Sequence, residues 1–326
     1  MKIGRRITAI VLLLLAICLL VLIPVIAFTP VGPRILPFLA LSPTPTPRPV
    51  LTAKGPPPAV NSAVAYLLDA DSGNTLANIN GQKRLPMAST TKIMTAIIAI
   101  EKGNLDQEVT VQQDAVDEVK KNNGSSAQLV AGDKILLKDL LYGLMLPSGD
   151  DAAITIADTV AGSPTKFVDL MNTYARQLRL TQTHYSNVDG LTYLTPQGKP
   201  DPNLYTTGAD LARLTRYALS NSFFAQIVQL QRYVLPATAT HHAYVWDTTD
   251  TLLSTYAGAT GVKTGYTVEA GYCLVFAATS GGHHLIGVLL HDSDKDPKQR
   301  FADAKTLLNW GFALPVLPPP TPTATS

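Results

Sequence analysis

Apolar and polar positions follow three regimes along the chain. From Ile7 to Phe28 the apolar run is unbroken and uncharged, and Lys2, Arg5 and Arg6 precede it. That length matches the ~20 residues a helix needs to cross a bilayer. A cleaved signal normally has a shorter apolar core and a small-x-small cleavage site, and neither is clear here, so residues 1–28 are expected to remain as an anchor, with a cleaved signal as the alternative. Cys18 follows Ile17 rather than a small residue, which argues against a lipoprotein signal. The basic flank predicts a cytoplasmic start, a single span in the cell membrane, and an extracytoplasmic remainder. Residues 29–58 form a proline-rich linker and residues 315–326 a Pro/Thr-rich disordered tail, where prolines remove backbone donors and favour extended chain.

Between them, residues 59–314 carry the periodicities of a folded domain. Val64 to Leu68, the turn Asp71-Ser72-Gly73-Asn74 and the run from Thr75 predict a hairpin. Helical spacing then dominates: Ser89 to Glu101, Leu136 to Leu146, Ala152 to Val160, Pro164 to Leu178 and Thr207 to Leu219. Strand patterns return at Gly261 to Thr267, Tyr272 to Ala278 and Leu285 to His291, and an amphipathic helix from Lys298 to Phe312 closes the domain. Strands at both ends around a helical middle predict an α+β fold: one antiparallel sheet built from distant segments, flanked by helices, with a mostly helical lobe inserted.

Composition narrows the function little. A net charge of +2 is too mild for a nucleic-acid partner, and 46% hydrophobic residues suffice for a core. Cys18 and Cys273 lie in unrelated contexts, so no disulfide between them is expected. The adjacent pairs His241-His242 and His283-His284 do not form a metal-ligand pattern, so neither a metal nor an organic cofactor is expected.

The chemistry concentrates in three short phrases. PMASTTKIMTA places Ser89 and Lys92 three apart at a helix start, where an amine can reach a hydroxyl and free backbone N–H groups suit an oxyanion. Taken alone, Ser89 reads equally well as a helix cap. A second Ser-x-x-Lys, Ser163 to Lys166, has proline at the first helical position and reads as a cap. Pro147-Ser148-Gly149-Asp150-Asp151 opens another helix, and Gly261-Val262-Lys263-Thr264-Gly265-Tyr266 places a lysine in a short strand between glycines. In isolation each has an ordinary reading, as a capped helix and as a solvated edge lysine.

Together and in this order, PMASTTKIMTA, LMLPSGDDAA and GVKTGYTVEAGY, supported by THYSNVDGL and LYTTGADLARL, resemble the penicillin-binding D-alanyl-D-alanine carboxypeptidases. The resemblance covers nearly all of residues 59–314. It implies a β-lactamase/DD-peptidase-like fold and a serine-type carboxypeptidase that trims terminal D-alanine from peptidoglycan stem peptides. By that resemblance Ser89 attacks, Lys92 is the base, and Ser148 relays a proton. Asp150, Lys263, Thr264 and Gly265 bind substrate, and the backbone N–H groups of Ser89 and Tyr266 form the oxyanion hole. The implied partners are stem peptides ending in D-Ala-D-Ala and β-lactams as covalent inhibitors. One position departs: the family usually has asparagine where this chain has Asp150. An ionised aspartate only accepts hydrogen bonds, so pairing with Lys92 or Lys263 would favour the charged amine, and Asp150→Asn is expected to keep or raise activity. A DD-endopeptidase is the near alternative. A serine β-lactamase is disfavoured because residues 151–263 contain no glutamate. A catalytically weak wall-binding or sensor domain is the non-enzymatic alternative.

Overall fold

The computed structural model describes residues 50–293 and 296–317. The expected anchor, residues 29–49 of the linker and residues 318–326 of the tail lie outside the described residues. No helix among the described residues is long and apolar enough to cross a membrane.

Strand β1 (Val50–Leu51) precedes the expected hairpin of β2 (Val64–Asp69) and β3 (Thr75–Ile79). A 3-10 segment, Ala88–Thr91, runs into α1 (Lys92–Lys102). The lobe continues through β4 (Glu108–Thr110), α2 (Gln113–Asn122), β5 (Lys134–Leu136), α3 (Leu137–Met145) and α4 (Asp150–Ala161). Helices α5 (Pro164–Gln177), α6 (Gly208–Leu219) and α7 (Ser222–Val228) complete it. A hairpin of β6 (Arg232–Leu235) and β7 (Tyr244–Asp247) and the short α8 (Leu252–Thr255) lead back to the sheet. There β8 (Ala259–Thr267), β9 (Gly271–Ser280) and β10 (His283–Asp292) are followed by α9 (Gln299–Phe312) and β11 (Val316–Leu317).

The sheet has five antiparallel strands in the order β3-β2-β10-β9-β8, so the first and last parts of the domain meet in one layer. Both its faces are covered, which explains why all six residues of β2 are buried. Val64, Tyr66 and Leu68 join the core that includes Ile93, Met94 and Ile97 of α1, while Ala65 and Leu67 join Leu307 and Leu308 of α9. The period-2 alternation of a strand thus serves two cores at once. Strand β8 stands at the sheet edge, where backbone groups remain for another chain.

Three features differ from the sequence expectation. Leu51, assigned to the linker, is buried, and β1 pairs with β11, so the ordered part extends beyond 59–314 at both ends. Helix α2 was not anticipated because only Ala115 and Val119 of its ten residues are buried, too narrow a stripe to stand out. The β6–β7 hairpin escaped notice because its strands are four residues long.

Candidate active site

Ser89 lies in the 3-10 segment, whose three residues per turn bring side chains at i and i+3 into line. Lys92, at the start of α1, donates from Nζ to Ser89 Oγ at 3.1 Å. The same Nζ donates to Asp150 Oδ1 at 2.5 Å and to the Asp189 carbonyl at 2.7 Å. Thr90 Oγ1 donates to the Met87 carbonyl at 2.6 Å, and no side chain makes a cap bond at the start of this turn, so the Ser89 hydroxyl is left to Lys92. Ala88, just before the serine, holds a φ of +47°, a left-handed conformation that is strained for a residue with a Cβ.

The turn between α3 and α4 supplies the second wall. Ser148 has a φ of +68°, and its buried Oγ has no hydrogen-bond partner among the described residues. Asp150 opens α4 and donates its backbone N–H to the Ser125 carbonyl at 2.8 Å. Burial pushes its carboxyl up to about 6, the Lys92 charge opposes that shift, and the Asp189 carboxylate adds to it. Its Oδ2 is buried without a partner among the described residues. Asp151 instead serves structure: its carboxylate accepts from Ala127 N, Leu129 N and Ser126 Oγ.

Strand β8 forms the third wall. Lys263 is buried, donates to the Thr264 carbonyl at 3.0 Å, and is pushed well below its ordinary range by burial and then by the charge of Lys92. Thr264 Oγ1 lies 2.6 Å from Thr249 Oγ1. Gly265 lies against the serine turn: a Cβ there would stand 3.1 Å from Ser89 N. That proximity sets β8 beside a backbone N–H that the first turn of a helix leaves unpaired. Ser89, Ser148, Thr249, Thr264, Gly265 and Tyr266 line one cleft of about 500 Å³.

The structure therefore brings together Ser89, Lys92, Ser148, Asp150, Lys263, Thr264, Gly265 and Tyr266, all named from sequence. It adds three residues that sequence reasoning did not identify. Asp189 holds Lys92 through its carbonyl, while its carboxylate, raised chiefly by burial, accepts from Leu191 N and Tyr193 Oη. Arg300 of α9 lines the cleft, donates to the Gly265 carbonyl at 3.1 Å, and lies 5.0 Å from the ring centres of Tyr272 and Phe301. Thr249 occupies the side chain of Thr264. Asp189 lies within the phrase THYSNVDGL, but a carbonyl contact has no side-chain signature. Arg300 reads in sequence as one more charged residue on an amphipathic helix.

The arrangement offers a hydroxyl within reach of an amine, a second hydroxyl with no partner among the described residues, a buried lysine and an open strand edge. Comparisons with known proteins agree in one direction. The model of a D-alanyl-D-alanine carboxypeptidase family matches residues 51–294. A D-alanyl-D-alanine carboxypeptidase of a Streptomyces species is 38% identical over 269 residues, covering 79% of this chain and 89% of the relative. The crystal structure of a Streptomyces DD-transpeptidase superposes with a TM-score of 0.73 at 39% identity, covering 80% of this chain and all of that one. A D-alanyl-D-alanine carboxypeptidase of Escherichia coli is 35% identical, and the match spans 62% of its length.

Proposed function

Because the chain belongs to the D-alanyl-D-alanine carboxypeptidase family of serine hydrolases, we propose that it releases the terminal D-alanine of peptidoglycan stem peptides through an acyl-enzyme on Ser89. The observation that carries this reading is the 3.1 Å contact between Lys92 Nζ and Ser89 Oγ beside the edge of β8. An extended peptide adds to that edge as a further strand, which delivers its carbonyl to the serine. Lys263, Thr264 and Arg300 provide donors for the terminal carboxylate.

Ser89 Oγ attacks the carbonyl carbon as Lys92 takes its proton. The oxyanion lies between the N–H groups of Ser89 and Tyr266, which are fixed before the charge develops. When the C–N bond breaks, Ser148 passes a proton to the leaving amine. Water then hydrolyses the ester, and slow hydrolysis of a β-lactam adduct makes such compounds inhibitors. The uncharged run at Ile7 to Phe28 supports a membrane-tethered domain acting outside the cytoplasm.

The test is D-alanine release from a peptide ending in D-Ala-D-Ala by the full-length chain and by its Ser89→Ala variant. Release by the parent and loss of at least ~1000-fold in the variant is expected, the scale of removing a nucleophile. Equal release by both would sink the assignment. The transpeptidase named among the structural neighbours motivates adding a simple amine to the same assay: product carrying that amine would show that water is not the sole acceptor.

A further inference from the structure

The three contacts of Lys92 raise a difficulty for its role as base. An ammonium has three hydrogens, and Nζ here lies within hydrogen-bond distance of three acceptors, Ser89 Oγ, Asp150 Oδ1 and the Asp189 carbonyl, which a charged amine satisfies together. In that state Nζ has no lone pair to receive a proton from Ser89. A peptide carbonyl does not retain a proton, and Ser89 is the group that must lose one. Asp150 is the remaining acceptor, and it is a carboxylate where an amide is the family's usual choice.

We propose that Asp150 is the proton store of this site, taking from Lys92 the proton that Lys92 must shed before it can accept one from Ser89. The proposal rests on Ser89 being the nucleophile. It assigns Asp150 a positioning role, exerted through Lys92.

Burial makes the transfer feasible. Lys92 and Asp150 are 0% and 1% exposed, so water does not favour the ion pair over the neutral amine and acid. The groups facing the pair act in both directions. The Asp189 carboxylate raises the Asp150 carboxyl, whereas the Ser125 backbone N–H lowers it. Lys263 on β8 also faces the pair, and Lys92 and Asp150 shift it in opposite senses. Tyr193 lies beyond, bonded to Asp189. With its carboxyl near 6, Asp150 accepts a proton far more readily than an exposed aspartate.

The steps balance. A proton moves from Lys92 Nζ to Asp150 Oδ1, and the freed lone pair takes the Ser89 proton as Oγ bonds the carbonyl carbon. The C–N bond breaks, its electron pair stays on nitrogen, and one proton reaches that nitrogen from Lys92 through Ser148. Asp150 then returns its proton to Lys92. The pair starts and ends with one shared proton, and it fails as a base once it holds two.

The experiment is the second-order rate of acylation by a fluorescent penicillin between pH 5 and 9.5, using the full-length protein. The parent is expected to lose activity below about pH 6, where the pair gains its second proton. Contrary to the expectation from sequence that Asp150→Asn keeps or raises activity, the amide of that variant cannot hold a proton, so the acidic limb moves up by at least ~1 pH unit and the rate at pH 7 falls ~10-fold or more. Asp150→Ser, smaller and equally unable to store the proton, gives the same reading if the asparagine variant does not fold. A limb that stays in place in both variants, or variants faster than the parent at every pH, would overturn the proposal. Labelling that survives Ser89→Ala would instead overturn the nucleophile assignment.

Discussion

The molecule contains the same tetrapeptide pattern twice, and the two copies have opposite fates. At Ser163 the backbone is extended, with a φ of −171°, Pro164 follows, and Oγ accepts the Lys166 backbone N–H at 3.2 Å. The Lys166 side chain is exposed. At Ser89 the backbone is already helical, no side chain makes a cap bond, and Oγ meets the lysine side chain. A hydroxyl used to cap a helix is not free to act as a nucleophile. What separates the two is the backbone conformation entering each turn and whether the lysine is enclosed, and neither is part of the Ser-x-x-Lys spacing.

Substitutions can sharpen that contrast. The largest effect belongs to Ser89→Ala, which should abolish acylation while leaving thermal stability nearly unchanged; a parallel loss of folding would show that Ser89 also supports its turn. Gly190→Ala comes next. Gly190 has a φ of +92°, and a Cβ there would lie 2.0 Å from the Ala88 carbonyl oxygen, so the loop carrying Asp189 must retreat from the serine turn. Denaturant unfolding should register a loss of at least ~2 kcal/mol, together with a loss of acylation.

Asp250 offers a smaller, pH-dependent test. Burial pushes its carboxyl up to about 6, with the Leu252 backbone N–H, Arg300 and Lys263 opposing the shift. A folded value above the unfolded one means that its contribution is fullest below about pH 4 and is lost as pH rises through about 6. Asp250→Asn keeps an acceptor for Leu252 N and removes the buried charge. It should raise stability at pH 7.5 by about 1–3 kcal/mol and change it little at pH 4. Equal effects at both values would exclude titration as the cause. The smallest effect is that of Ser163→Ala: loss of one cap, about 1 kcal/mol in unfolding, with acylation unchanged. A drop in acylation there would erase the distinction between the two turns.

Much of this was legible in the sequence where a signal repeats over several residues. The hairpin at Val64, the helices from Leu137 and Pro164, and the paired strands β9 and β10 all announce themselves by periodicity and turn residues. Ser89, Lys92 and Lys263 were legible as site candidates only through three phrases taken together. Asp189 was not, because what it offers Lys92 is a carbonyl, a group carried by every residue. Arg300 was not, because its partner Gly265 is 35 positions away and bound through its backbone oxygen. Asp150 was legible as a departure, yet its preference for Lys92 over Lys263 required the geometry.

The small ribbon of β1 and β11 bears on how the domain carries load. Val50 faces Leu317 and Leu51 faces Val316, so the two ends of the described residues lie side by side. Tension between those two points would peel the ribbon apart like a zipper, one pair after the other, instead of shearing the long strands behind it. The ribbon is then a mechanical fuse: Leu51 would be drawn from its buried seat first, while the five-stranded sheet and the serine cleft keep their shape.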